Sequence, residues 1–142
     1  MSASPAIRRL LRVRELEEEQ CAAALESAIG EWKRLQTAQA AARERERRGR
    51  WLVAASAASG EVADRVAGME EARSAGLRAT ALEPRIQAAE EEVKSRRQEF
   101  LAKRVERRQV ELLIEQAGLE EARESERRAQ READQWFLGR AR

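Results

Sequence analysis

Few residues in this chain have the types and spacing that enzymatic chemistry requires. The sequence has no histidine and a single cysteine, Cys21, which excludes a His-based triad, a Cys–His dyad and an intrachain disulfide. It also lacks the Cys and His ligands of the usual zinc sites and a glycine-rich phosphate loop. Without a resolving thiol, Cys21 is expected to pack as a small apolar residue.

The many carboxylates are not expected to act as general acids or bases. Such a role requires a desolvated site that shifts the pKa of the group, and a two-helix rod offers no such site. We therefore expect a protein that is not an enzyme and that holds no cofactor and no metal.

The charges are numerous but balanced. Lys and Arg number 28 against 26 Asp and Glu, which leaves a net charge of +2, whereas nucleic-acid-binding domains usually carry a clear basic excess. The densest basic run, residues 43–50, is interleaved with Glu44 and Glu46 and is typical of a solvated helix face. Phosphate binding by this run stays open as a minor alternative.

The composition favours long helices. Among the charged residues, 25 are Arg, 3 Lys, 24 Glu and 2 Asp, so the chain uses mainly the charges that favour helix. Proline occurs only at positions 5 and 84. No apolar run approaches the ~18 residues of a membrane span, and the opening lacks the apolar core of a signal peptide. We expect a cytoplasmic chain without membrane insertion.

The first helix is predicted over about 5–58. Ser4 is a typical N-cap residue and Pro5 a typical first helical residue. Apolar residues then recur at alternating steps of three and four, as in a heptad repeat. Trp32 falls on this seam and is expected in the core.

Four of the seven glycines, at positions 49, 60, 68 and 76, lie in the segment 49–80. Glycine disfavours helix, so the reversal is predicted within this segment, over about 59–80. A short extra helix is possible there. Thr80 and Glu83 form a capping-box pattern, followed by Pro84. The second helix is therefore predicted over about 81–138.

These elements predict an all-α fold: one domain over 1–142, built as a long antiparallel two-helix coiled-coil hairpin. With the reversal centred near residue 70, Leu25 should lie near Ile114, and Trp32 should lie near Val110 and Arg107.

Two surfaces are candidates for binding partners. Apolar residues cluster near the reversal: Trp51, Leu52, Val53, Val62, Val66 and Met69. In the predicted hairpin the two termini lie side by side, and they combine apolar side chains with many arginines: Arg8, Arg9, Arg12, Arg14, Arg127, Arg128 and Arg131. Such an end is suited to a socket in another protein.

The opening IRRLLRVRELEEEQ (residues 7–20), the Glu/Arg/Gln/Ala-rich helices and the ending from Glu132 to Leu138 resemble the YscO/FliJ family. Members are coiled-coil stalks of type III secretion and flagellar export. The resemblance extends over nearly the whole chain, and the opening is closer to the virulence branch.

The resemblance implies a central stalk, located in the cytoplasm beside the secretion apparatus at the inner membrane. Its paired termini would enter a hexameric export ATPase, its other end would contact the export gate protein, and it would handle substrate chaperones. The alternatives are a generic coiled-coil scaffold and, less favoured, a nucleic-acid-binding helical protein.

Overall fold

The computed structural model describes residues 3–141, and these form two helices and no strand. Helix α1 spans Pro5–Ser59 (55 residues) and helix α2 spans Val62–Arg140 (79 residues). The two helices pack against each other in antiparallel order. The predicted all-α helical hairpin is confirmed.

Helix α1 begins as the sequence predicted. The Oγ of Ser4 accepts a hydrogen bond from the N–H of Ile7 at 3.3 Å, and Pro5 is the first helical residue. This cap satisfies one of the N–H groups that have no partner within the first turn.

The reversal is far shorter than predicted. It consists of Gly60 and Glu61 alone, where Gly60 has a φ of 77° and its N–H donates to the carbonyl of Ser56 at 2.8 Å. Glycine adopts this left-handed conformation without a steric penalty. The predicted loop over 59–80 and the predicted start of the second helix near 81 are both wrong.

No separate short helix exists at the reversal, because residues 62–80 belong to α2. Thr80 is not a helix cap: its hydroxyl donates to the carbonyl of Gly76, one turn earlier, at 2.9 Å. Pro84 lies inside α2, on an exposed face. There its missing N–H and its ring disturb only the local helix.

The chain divides into two compact units. The hairpin unit, Ala23–Gln98, contains the reversal. The terminal unit contains the first 22 residues and those from Glu99 onward.

The core of the hairpin unit is a small apolar cluster. Leu35, Leu82 and Ile86 are buried, and Trp32 packs against them. Gln39 fixes the same register, because its Nε2 donates to the carbonyl of Ala79 at 3.2 Å. Trp32 is a core residue as predicted, but its neighbours are Leu82 and Ile86.

The predicted register is therefore wrong by roughly five helical turns. Trp32 does not face Val110, and the pairing of Leu25 with Ile114 fails for the same reason. The error follows from the length of the reversal. With a shorter loop, each residue of α1 faces a residue nearer the start of α2 than the prediction assumed.

The helices of the hairpin unit come close together at glycines near the reversal. A Cβ built on Gly49 would lie 2.6 Å from the backbone N of Ala72 and 2.6 Å from the backbone O of Gly68. A Cβ on Gly68 would meet the Gly49 carbonyl at 2.7 Å. Three of the four glycines predicted to disfavour helix, Gly49, Gly68 and Gly76, thus lie within helices, where they permit close packing.

Glu46 is a charged residue in this packed region and is only 8% exposed. Its carboxylate accepts a hydrogen bond from Arg43 at 3.0 Å and another from Arg50. The bond from Arg43, together with the charge of both guanidinium groups, holds the pKa of the Glu46 carboxyl below its usual value. Gly76 leaves room for this carboxylate, which lies about 3.5 Å from where its Cβ would be.

In the terminal unit the two helices are joined by ion pairs as well as by the buried Val110. Arg14 contacts Glu106 at 3.2 Å and Lys103 contacts Glu17 at 3.4 Å. Cys21 is half-buried, in agreement with a packing role.

Candidate protein-binding surfaces

The hairpin unit carries an open apolar groove next to the reversal. The groove has a volume of about 610 Å³ and is lined by both helices: Val53 and Arg50 from α1, and Val66, Met69, Glu70, Ala72 and Arg73 from α2. We call it the reversal groove. Three of the six predicted residues at this end therefore lie together in one concave surface.

The other three predicted residues lie around the groove. Val62 is 72% exposed and Trp51 is 70% exposed, whereas Leu52 is half-buried. Leu52 and Val53 are held against α2, since each comes within 3.1 Å of where a Gly68 Cβ would be. Exposed apolar groups of this size, concentrated in one place, are typical of a surface that binds another protein.

The charged rim of the groove was not predicted from sequence. Glu70 and Arg73 form an ion pair at 3.2 Å, and this contact raises the pKa of the Arg73 guanidinium. Arg50 joins the rim from α1. The sequence placed Glu70 and Arg73 in a loop over 59–80 and Arg50 in the basic run, so no helical spacing predicted that they would share one rim.

Two glutamates of the basic run 43–50 pair with four of its five arginines. Arg47 contacts Glu44 at 2.7 Å, which lowers the pKa of that carboxyl, and Arg48 lies 3.8 Å from the same residue. Arg43 and Arg50 contact Glu46. This arrangement fits a solvated helix face, and it leaves the run with a net charge of +3.

The arginines of the terminal unit fall into two separate groups. Arg8, Arg9 and Arg12 are exposed on the first turns of α1. Arg14 is half-buried and bonded to Glu17 and Glu106, so its charge contributes to the contact between the helices. The prediction that Arg14 belongs to an open partner-binding surface finds no support in this geometry.

The second arginine group does not lie beside the first, which corrects the predicted pairing of the termini. Arg14 is level with Glu106, so Pro5, the first residue of α1, is level with about Glu115. Helix α2 continues to Arg140, roughly 35 Å further along the helix. Arg127, Arg128 and Arg131 therefore lie beyond the start of α1.

We call residues 119–140 the α2 extension. Every residue from 125 to 141 is exposed, and Arg127 and Arg131 pair with Glu124 of the same helix. Near its end, the rings of Trp136 and Phe137 meet edge to face at 5.2 Å, and the Arg140 guanidinium lies 4.5 Å from the Trp136 ring centre. Trp136, Phe137 and Leu138 are each more than half exposed.

Within residues 3–141, neither helix contains an apolar stretch long enough to cross a membrane. The same residues contain no group of three or more His, Cys, Asp or Glu side chains placed to hold a metal ion. No protein-family model, no curated protein and no solved structure matches the chain.

Proposed function

We propose that this chain is a non-enzymatic central-stalk component of a type III secretion export apparatus, of the YscO/FliJ type. In this proposal the α2 extension engages the hexameric export ATPase, and the reversal groove contacts the export gate protein and substrate chaperones. The resemblance of the opening and the ending supports the family, and the two-helix hairpin is the fold that such a stalk requires.

The observation that carries the proposal is the exposed α2 extension. A single helix of this length gains little stability in water without packing, and its residues from 125 to 140 are all exposed. Its sequence nevertheless continues with helix-favouring residues to Arg140. We infer that the extension is shaped to pack against another protein.

The extension presents arginine and aromatic side chains that suit an interface with another protein. Arg127, Arg128 and Arg131 are exposed, and their planar guanidinium groups bind carboxylates through two parallel hydrogen bonds. Trp136 and Phe137 follow at its end. Aromatic residues and arginine are the types most often found at the energetic centre of protein interfaces.

Binding to the export ATPase tests the proposal. Reversing Arg127, Arg128 and Arg131 to Glu should weaken copurification with the ATPase by about a hundredfold or more, because three attractive contacts become repulsive. Stimulation of ATP hydrolysis should be lost in parallel. Helicity and melting temperature should stay close to those of the parent.

The matched control changes three exposed arginines of the hairpin unit, Arg78, Arg85 and Arg97, to Glu. This variant has the same net charge and should bind like the parent. A third variant, Arg8→Glu with Arg9→Glu and Arg12→Glu, measures how much the first turns of α1 contribute to ATPase binding. Parent-like binding by the extension variant would contradict the proposal and favour a scaffold without an ATPase partner.

A further inference from the structure

The seam between the helices of the terminal unit carries charged side chains where the hairpin unit has apolar ones. Arg14 holds the heptad position that Leu35 holds three heptads later. On α2, Arg107 is half-buried and lies on the same seam as Val110. Of the residues that the structure describes in the terminal unit, only Ala3 and Val110 are buried. Little buried apolar surface therefore holds this unit closed.

Four charged side chains of the terminal unit form a closed ring. Arg14 lies 3.1 Å from Glu17 and 3.2 Å from Glu106. Lys103 lies 3.4 Å from Glu17 and 3.3 Å from Glu106. Each helix supplies one cation and one carboxylate, so the ring is neutral and every charge has two neighbours of opposite sign. Two of its four contacts join α1 to α2.

A second ion pair joins the helices beside the ring. Arg107 of α2 contacts Glu18 of α1, and it also contacts Glu111 of its own helix. The side chains of Glu18 and Arg107 are 17% and 23% exposed, whereas those of the ring are about a third exposed. Because all of these groups keep part of their hydration, dissolved salt screens the attraction between them.

The ion pairs give the terminal unit less stability than an apolar seam would. Desolvation and lost side-chain freedom offset most of the attraction in such pairs. The hairpin unit instead buries Leu35, Leu82 and Ile86 in one cluster. Segments with few buried apolar contacts open at a lower cost in free energy than a packed core does. The helices of the terminal unit therefore separate more readily than those of the hairpin unit.

We propose that the terminal unit is a clasp, which opens when its ion pairs weaken while the hairpin unit stays closed. Residues 5–22 of α1 then leave α2. Opening exposes four apolar side chains that are buried or half-buried in the closed form: Ile7 and Leu11 of α1, and Val110 and Ile114 of α2. In the open form these side chains are available to a helix of another protein.

Hydrogen exchange of the full chain, followed by mass spectrometry, tests the clasp. A separated helix of this length loses most of its helical structure in water, so residues 7–20 exchange faster in the open form. In about 1 M salt, where the Debye length is about 3 Å, this exchange should be about two- to fivefold faster than at low salt. Residues 30–46 of the hairpin unit are the reference in the same sample. Salt-independent exchange of residues 7–20 relative to this reference would overturn the proposal.

Breaking the ring should open the clasp without added salt. Glu106→Gln removes one charge and keeps the size of the side chain. Arg14 and Lys103 then share the single carboxylate of Glu17. Exchange over residues 7–20 at low salt should therefore rise about two- to fivefold above that of the parent.

The matched control is Glu115→Gln, which makes the same chemical change on the same helix. The Glu115 side chain is 57% exposed and pairs with Arg108 of α2 itself, so this variant should exchange like the parent. No rise in the Glu106→Gln variant, or an equal rise in both variants, would overturn the proposal.

Making the seam apolar should have the opposite effect. In the double variant Glu18→Leu with Arg107→Leu, an apolar contact replaces an ion pair between the helices, a change that often stabilises a partly buried site. Residues 7–20 should then exchange more slowly than in the parent at high salt. Faster exchange, in a variant whose circular dichroism shows intact helices, would overturn the proposal. These assays contain this protein alone, so their outcome does not depend on the proposed ATPase partner.

Discussion

Replacing Leu82 with alanine should lower the free energy of unfolding by about 2–3 kcal/mol. Leu82 is 6% exposed and forms the apolar cluster of the hairpin unit with Leu35 and Ile86. The change removes buried methyl groups and leaves a cavity. Because a two-helix interface is open at its sides and can partly collapse, the loss should fall in the lower part of the range for buried leucines.

Urea unfolding followed by far-ultraviolet circular dichroism measures this loss. The matched control is Leu77→Ala, on the same helix, where the leucine is 60% exposed and the change should alter stability by less than about 0.5 kcal/mol. Equal losses for the two variants would show that the core has been assigned to the wrong face of α2.

Gly49→Ala should destabilise the protein by about 1–3 kcal/mol, although alanine is the better helix former. The added methyl carbon would lie 2.6 Å from backbone atoms of both Gly68 and Ala72. Backbone atoms of a packed helix cannot move aside as the end of a flexible side chain can. The two helices must therefore separate at this point.

Gly30→Ala is the control for intrinsic helix preference. No atom lies within 4 Å of a Cβ built on Gly30, so this change should raise the free energy of unfolding by about 0.5–1 kcal/mol. Thermal or urea unfolding of both variants measures the contrast. Stabilisation by both substitutions would contradict the close approach of the helices at Gly49.

The same glycines explain where sequence reasoning succeeded and failed. Helix content, antiparallel order, the Ser4 cap and the core position of Trp32 follow from propensity and heptad spacing, and the structure confirms them. The position of the reversal does not follow from helix propensity or heptad spacing. Glycine permits both a turn, as at Gly60, and a close helix contact, as at Gly49. A single sequence does not distinguish these two uses.

The Thr80 pattern was misread for a related reason. A threonine followed three residues later by a glutamate occurs at helix starts, but the same polar residues are also common on exposed helix faces. Here the Thr80 hydroxyl bonds the carbonyl of Gly76 within α2. Pro84 favours the same wrong interpretation, because proline is common in the first turn of a helix. In the structure it lies inside α2.

The candidate surfaces were predicted in part. Their residues could be chosen because large apolar side chains are few in this chain and because the arginines near both termini lie among such side chains. Their placement depended on the register. The reversal groove includes Arg50 and Arg73, which the sequence did not predict there. Arg128 and Arg131 lie apart from Arg8 and Arg12, because α2 extends beyond the start of α1.

Site-specific photo-cross-linking in the presence of the export ATPase tests the central claim most directly. A photoreactive residue replaces Phe137 in the α2 extension or, as a control, Leu77 in the hairpin unit; both side chains are 60% exposed or more. We predict cross-links to the ATPase from position 137 and none from position 77. Cross-links from position 77 alone, or from neither position, would contradict the proposal that the α2 extension engages the ATPase.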